Sequence, residues 1–241
     1  MTSREAIKER RRQQKKQQRL VTLMVVAGIA LIFAAILMIP GIGGAFSSDG
    51  DFVKPELNPK PQADRTAMGD PNAPVTMVII SDFGCSHCAN FAEGSGNRIA
   101  EEYVSTGQVY LVYRSSGDLL PNSSTAVAAE AAYCAADQGK FWEYHDLLFA
   151  NQIKLFSTMG RDNSDTFNAF AEYLQMDLDQ FERCMDEGKY KDQIVQDRND
   201  ALEAGINSTP SFLINGQLVV GNVPYSEFQR ILEAELAAAQ N

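Results

Sequence analysis

The longest hydrophobic run lies near the start of the chain. Residues 20–40 read LVTLMVVAGIALIFAAILMIP and contain no charged side chain. Twenty apolar residues in a helix rise about 30 Å, which matches the hydrocarbon thickness of a bilayer. The pattern therefore predicts a transmembrane anchor over residues 20–40. A cleaved signal peptide is the alternative, because small residues follow at 43–45, but the apolar core of a signal peptide usually spans only about 7–15 residues.

Two shorter apolar runs predict buried strands. Val75–Ser81 reads VTMVIIS, and Val109–Tyr113 reads VYLVY. Runs of β-branched residues without polar alternation are typical of strands that are covered on both faces. The intervening stretch, about 85–104, has a helical pattern that Gly94 and Gly96 should weaken or kink. This order of elements predicts a parallel strand pair with a right-handed crossover.

The second half of the chain is first helical and then returns to strands. From about residue 122 to 205 apolar positions recur at helical spacing, which predicts a helical insertion. The apolar runs Ser211–Ile214 and Gln217–Val220 flank an Asn-Gly pair, a strong hairpin signal. A last amphipathic helix is predicted over about Tyr225–Ala239. Residues 67–241 thus form one α/β domain with a helical cap.

Charge is distributed unevenly along the chain. Residues 1–19 form a basic head with a net charge of +6, and the remaining residues have a net charge of -16. By the positive-inside rule, the head stays in the cytoplasm and the domain lies outside the membrane. A basic nucleic-acid-binding arm is the alternative for the head, which the adjoining apolar run disfavours. The acidic domain repels phosphate backbones, so no nucleic-acid partner is expected.

Residues 41–66 are rich in Gly, Ser, Pro and Asp and show little periodicity. This composition predicts a linker that holds the domain away from the membrane. Outside the cytoplasm the domain meets an oxidising environment, in which disulfides persist.

The motif with the clearest chemistry is Cys85-Ser86-His87-Cys88. It follows a buried strand and opens a helix, so Cys85 should lie in the first turn. There, unpaired backbone N–H groups and the helix dipole stabilise a thiolate. Cys88 lies one turn further along, within disulfide reach. A lowered thiol pKa makes Cys85 a nucleophile and a good leaving group. His87 is expected to add positive charge or a hydrogen bond to the same sulfur.

Other interpretations of the cysteines stay open. A zinc site needs further ligands at matching spacing, but His145, Cys134 and Cys184 are scattered singly, so no metal is expected. A structural Cys85–Cys88 disulfide is a second alternative. Cys134 and Cys184 are either buried free thiols or, as is favoured in an exported chain, a structural disulfide. His145 and its neighbour Trp142 are expected to serve in packing.

Four motifs, in the same order, resemble the DsbA-like branch of the thioredoxin superfamily. They are GDPNAPV at 69–75, DFGCSHC at 82–88, QGKFWEYH at 138–145, and STPSF at 208–212 with the following Asn-Gly pair. The resemblance covers about residues 67–240. It implies a thioredoxin fold with a helical insertion, and it implies thiol–disulfide exchange without an organic cofactor.

The resemblance also implies roles for individual residues. Cys85 would be the attacked cysteine and Cys88 the buried resolving one. Pro210 would be a cis-proline facing the disulfide, and Thr209 would position the substrate backbone. Ser86, which stands where many relatives have proline, is assigned with Thr209 to substrate binding.

One departure from the family pattern and one match to it bear on mechanism. Some relatives carry a buried acid in the strand before the cysteines, but Met77–Ile80 contains none. Asp82, which follows this strand, is expected to be a turn or cap residue. His87 stands at the place of the histidine in the strongly oxidising prototype, which favours an oxidase, although Thr209 before the proline is also common among reductases and isomerases.

These features predict a membrane-anchored, extracytoplasmic thiol:disulfide oxidase. Its partners would be exported proteins with free cysteines and a membrane redox protein of DsbB or VKOR type. The alternatives are a reductase or isomerase of the same fold, and a thioredoxin-like binding or chaperone module without catalysis.

Overall fold

The computed structural model describes residues 52–117, 124–157 and 162–240. The predicted basic head at 1–19, the predicted anchor at 20–40 and the first part of the predicted linker lie outside this described part of the chain. Within it, no helix combines the length and the apolar character that a bilayer crossing requires.

The described strands form a mixed five-stranded sheet of order β1-β3-β2-β4-β5. β2 and β3 run parallel, with Val75 opposite Val109, as the sequence predicts. The other pairs are antiparallel, including the predicted β4–β5 hairpin. The strands are β1 Ala67–Met68, β2 Val75–Ser81, β3 Val109–Ser115, β4 Ser211–Ile214 and β5 Gln217–Val220.

A continuous helix, α1, connects β2 to β3 over residues 86–104. Its geometry is α-helical at Ser86–Phe91 and Asn97–Ile99, but it widens into π-helical turns at Ala92–Gly96 and Ala100–Val104. The first of these π-helical turns contains Gly94 and Gly96, the two glycines that were expected to weaken or kink the helix. A Cβ on Gly96 would lie only 3.0 Å from the carbonyl oxygen of Phe91. The glycine therefore permits close approach of the backbone in this turn.

Among the described residues, six helices of the predicted insertion follow β3, and one helix comes after the β4–β5 hairpin. The insertion helices are α2 Ser124–Ala136, α3 Phe141–Ala150, α4 Gln152–Phe156, α5 Ser164–Tyr173, α6 Leu178–Asp186 and α7 Lys191–Glu203, and the last helix is α8 Tyr225–Ala238. A disulfide between Cys134 of α2 and Cys184 of α6 joins two helices of the insertion.

The two faces of the sheet differ in how well they are covered. Met77, Ile79 and Leu111 point into the main core. The opposite face forms a smaller cluster in which Ile80 packs with Ala201 at the end of α7. On that face the first half of β2 is only half-buried. Burial on both faces, predicted for the whole strand, is thus confined to its end, next to the cysteine motif.

Two features were not predicted from the sequence. β1 is an additional edge strand of two residues beside β3. Residues 52–66, assigned to the linker, lie partly against the helical insertion. The ring of Phe52 lies 4.8 Å from that of Phe170, and Asn151 exchanges two hydrogen bonds with the backbone of Val53 (2.7 and 2.8 Å).

We expect the double variant Cys134→Ala/Cys184→Ala to lower the free energy of unfolding by about 2–4 kcal/mol, because the bond restricts the unfolded chain over a long loop. Urea unfolding without reductant measures this difference. The matched control is Cys85→Ala/Cys88→Ala, which replaces two cysteines that are not bonded to each other in this structure and should lose less. An unchanged midpoint for the first variant would contradict the expectation.

Candidate active site

A tight turn after β2 positions the cysteine motif. The carboxylate of Asp82 accepts a hydrogen bond from the Gly84 amide at 2.6 Å, and the Cys85 amide donates to the Asp82 carbonyl at 3.1 Å. Asp82 is therefore a turn residue, as expected. Cys85 is the N-cap of α1 and has extended backbone angles, while Ser86 begins the helix. The turn thus delivers the Cys85 sulfur to the N-terminal end of α1.

The surroundings of Cys85 favour its thiolate. A hydrogen bond from the Cys88 thiol lowers the pKa of Cys85 to about 5, against the opposing effect of burial. The side chain of Thr209 and the backbone N–H groups of Cys88 and His87 lower the pKa further. These amides belong to the first turn of α1, where N–H groups have no partner within the helix. Cys85 is therefore ionised at neutral pH.

Cys88 has the opposite electrostatic character. Its side chain is buried, and burial, followed by the neighbouring Cys85 sulfur, raises its pKa well above the ordinary value. Cys88 is 1% exposed and Cys85 is 7% exposed, so a partner from solvent reaches Cys85 first. Both cysteines are free thiols in this structure. The pair consists of an outer nucleophile and an inner sulfur that keeps its proton.

The loop before β4 forms the opposite wall of the site. The Thr209–Pro210 peptide bond is cis, and the carbonyl oxygen of Thr209 lies 3.3 Å from the Cys85 sulfur. The hairpin holds this loop, because the Gly221 amide donates to the Pro210 carbonyl at 2.8 Å. The structure thus brings together Cys85, Cys88, Thr209 and Pro210 from segments more than a hundred residues apart.

The other two motif residues lie at the surface. Ser86 and His87 are both exposed. His87 acts on the Cys85 sulfur through its backbone N–H, whereas the sequence directed attention to its imidazole.

The helical insertion contributes a residue that the sequence did not single out. The side-chain amide of Gln152, at the start of α4, donates to the carbonyl oxygens of Phe83 and Cys85 at 2.7 and 2.9 Å. Thr125 of α2 donates to the Asp82 carboxylate at 3.4 Å. A Cβ on Gly84 would lie 2.6 Å from the Thr125 methyl group, so this position requires glycine. No local motif marks Gln152 or Thr125.

His145 and Trp142 lie in the main core, as expected. The indole N–H of Trp142 donates to the Ala67 carbonyl at 3.0 Å. The His145 ring packs edge-on against Phe83 and Phe149. In the part of the chain that the structure describes, no group of three His, Cys, Asp or Glu side chains is arranged to hold a metal ion.

Comparison with known proteins agrees with this geometry. A family model described as thioredoxin matches residues 62–234. The chain belongs to the thioredoxin family. The resemblance to its DsbA-like branch is confirmed by curated relatives that are named disulfide bond formation proteins, and solved structures of that branch show the same fold.

Among curated relatives, the probable disulfide bond formation protein D of Bacillus anthracis is 26% identical over 171 residues, which cover 70% of this chain and 77% of that protein. The Na(+)/H(+) antiporter NhaA 3 of Salinispora tropica is 35% identical over 149 residues. That match covers 62% of this chain but only 21% of the antiporter, so the chain spans about a fifth of the length of such relatives.

Two solved structures show the same fold. BdbD from Bacillus subtilis, in its oxidised form, aligns with a TM-score of 0.64 at 20% identity and covers 78% of this chain and 100% of that one. Wolbachia pipientis alpha-DsbA1 aligns with a TM-score of 0.65 at 22% identity and covers 76% and 95% of the two chains.

We expect the alkylation rate of Cys85 in the reduced protein to reach half its maximum near pH 5, because the thiolate is the reacting form. Iodoacetamide labelling followed by mass spectrometry of the Cys85 peptide measures this profile. Cys88→Ala should move the midpoint upward, since the main hydrogen-bond donor is lost. Cys88→Ser retains a donor and should move it less. Equal midpoints for all three proteins would contradict the assigned cause.

Proposed function

We propose that this protein is a membrane-anchored, extracytoplasmic thiol:disulfide oxidase that donates its Cys85–Cys88 disulfide to exported proteins with free cysteines. The proposal rests on one observation. The Cys88 thiol, followed by the Thr209 side chain and the first backbone N–H groups of α1, lowers the pKa of Cys85 to about 5 against the opposing effect of burial. A stable thiolate favours the reduced protein, and this makes the disulfide a strong oxidant.

The proposed reaction begins with a substrate thiolate that attacks the Cys85 sulfur. A bond forms between these sulfurs, the Cys85–Cys88 bond breaks, and Cys88 leaves with the electron pair. Because its pKa is high, Cys88 then takes up a proton. A second substrate thiolate attacks the substrate sulfur of the mixed disulfide and displaces the Cys85 thiolate. The substrate loses two electrons and forms its disulfide, and the enzyme is left reduced.

The cis-proline loop is suited to hold the substrate during this exchange. The Thr209 backbone borders the Cys85 sulfur, and Ser86, the next residue after Cys85, is exposed. We assign Thr209 to the backbone of the substrate peptide and Ser86 to the rim of the site. Pro210 closes the wall facing the disulfide.

The sequence supports the proposed location and redox partner. The apolar run at 20–40, with its basic head, supports a single-pass anchor with the N-terminus in the cytoplasm. The resemblance to DsbA-like proteins supports reoxidation by a quinone-linked membrane protein of DsbB or VKOR type. The name of the Bacillus relative, a disulfide bond formation protein, agrees with the oxidative direction.

We expect Cys85→Ser to abolish oxidation of a reduced peptide that contains two cysteines, because Cys88 alone cannot form the disulfide that the substrate attacks. Mass spectrometry of the peptide and of the full-length protein measures the products. The variant Cys134→Ala/Cys184→Ala is the matched control and should still oxidise the peptide. Loss of activity in this control together with activity in Cys85→Ser would overturn the assignment of the active pair.

We expect the Cys85–Cys88 couple of the full-length protein to be more oxidising than glutathione, since the thiolate of its reduced form is stabilised. Equilibration in glutathione buffers, followed by thiol quantification, measures the reduction potential. A reduction potential well below that of glutathione would indicate a reductase and not an oxidase. A bond that resists reduction would indicate a structural bridge.

A further inference from the structure

A cavity of about 30 Å³ adjoins the buried sulfur of the active pair. Its walls are mostly apolar, but Cys88, Ser81, Tyr113 and His145 each contribute a polar side chain to its lining. A buried water needs roughly 10–15 Å³ and two to four polar partners. The cavity therefore offers both the room and the hydrogen-bonding groups for one or two water molecules next to Cys88.

Tyr113 gives independent support for a ligand in this cavity. Its side chain on β3 is 1% exposed. Its hydroxyl has no hydrogen-bond partner of normal geometry among residues 52–117, 124–157 and 162–240, although the Ser81 side chain lies close enough to act on it. Buried hydroxyl groups are nearly always hydrogen-bonded to protein or to ordered water. A water molecule in the cavity supplies the partner that the Tyr113 hydroxyl otherwise lacks.

We infer that this cavity holds a bridging water through which the Cys88 thiol exchanges its proton with His145. The inference rests on the proposed function, since it names the proton carrier for the Cys88 step of that reaction. His145 belongs to the helical insertion, so the insertion would take part in proton transfer as well as in packing.

The surroundings of His145 suit this task. Nδ1 of His145 lies 3.0 Å from a carboxylate oxygen of Asp146. A carboxylate at this distance accepts a hydrogen bond from Nδ1–H, which leaves the lone pair on Nε2. Burial lowers the pKa of His145, so the ring is neutral at pH 7. His145 lines the cavity, and a neutral ring of this tautomer takes up a proton at Nε2.

The other end of the cavity leads toward solvent. Lys60 and Asp146 also line it, and they form an ion pair at 2.8 Å in which each side chain keeps about a tenth of its exposure. The titratable and charged groups around the cavity are thus Lys60 before β1, Cys88 on α1, Tyr113 on β3, and His145 and Asp146 on α3. Asp82 does not line the cavity, and its carboxylate accepts hydrogen bonds from Gly84 and Thr125.

The proton step balances in both directions. When Cys88 attacks a mixed disulfide at Cys85, its proton passes through the water to Nε2 of His145. The Cys85–Cys88 bond forms, the bond from Cys85 to the partner breaks, and the partner leaves as a thiolate. The imidazolium then releases its proton to solvent beside Asp146. In the opposite direction, His145 returns a proton to the departing Cys88 thiolate.

The test isolates the Cys88 step. Cys85 of the full-length protein is loaded with thionitrobenzoate as a mixed disulfide, and release of the coloured thiolate is followed by stopped flow across the neutral pH range. With His145 as base, the native rate should be nearly constant at neutral pH and fall in acid. His145→Gln should lower the rate at neutral pH on the order of 10²-fold. Its rate should then rise in proportion to hydroxide concentration.

A matched pair of tyrosine variants separates chemistry from packing. Tyr113→Phe removes a partner of the water and should lower the release rate. Tyr144→Phe removes an equally buried hydroxyl, which donates to the Phe167 carbonyl at 3.0 Å away from the cavity lining, and should leave the rate unchanged. A native pH profile in His145→Gln would overturn the inference, as would equal losses in the two tyrosine variants.

This readout is independent of the proposed function. Release of thionitrobenzoate needs only Cys88 and no protein substrate. If the native protein fails to oxidise peptides while His145→Gln still loses the neutral plateau, the oxidase proposal falls and the proton route stands. If the native protein oxidises peptides and His145→Gln keeps the constant release rate at neutral pH, the proton route is wrong and the oxidase proposal stands.

Discussion

The hydrogen bond between the two sulfurs of the active pair is the interaction on which the site depends. It requires one sulfur to donate and the other to accept, so the pair is stable only when its proton resides on one side. Burial decides which side, because a charge on Cys88 would lack the compensation that Cys85 receives from the N-terminal end of α1. The chemical difference between two identical residues is therefore a property of the fold.

The fold maintains this difference with contacts from three separate parts of the chain. The turn after β2 sets the start of α1, Gln152 of the insertion holds the backbone of Phe83 and Cys85, and the β4–β5 hairpin holds Thr209 against the outer sulfur. The contacts of Gln152 and Thr209 are close in space but distant in sequence. The insertion is consequently part of the active site, although it contains neither of the two reactive cysteines.

Elements that depend on local sequence patterns could be predicted, whereas contacts between residues far apart in the sequence could not. The strands Val75–Ser81 and Ser211–Ile214 were predicted with their observed bounds, because burial and turn chemistry leave a local pattern. The two-residue strand β1 was not predicted, since it exists only through its pairing with β3. No local pattern marks Gln152 either, for the same reason. Its role depends on the cysteine turn, which it contacts only after the chain has folded.

The position of Trp142 has a spectroscopic consequence. It is the only tryptophan of the chain, it lines the cavity that also reaches Cys88, and its ring lies 5.2 Å from that of His145. Indole emission responds to nearby sulfur and to the charge of a neighbouring imidazole. The protein thus carries an intrinsic fluorophore beside its redox couple, and emission from this one residue reports the state of the buried sulfur without any label.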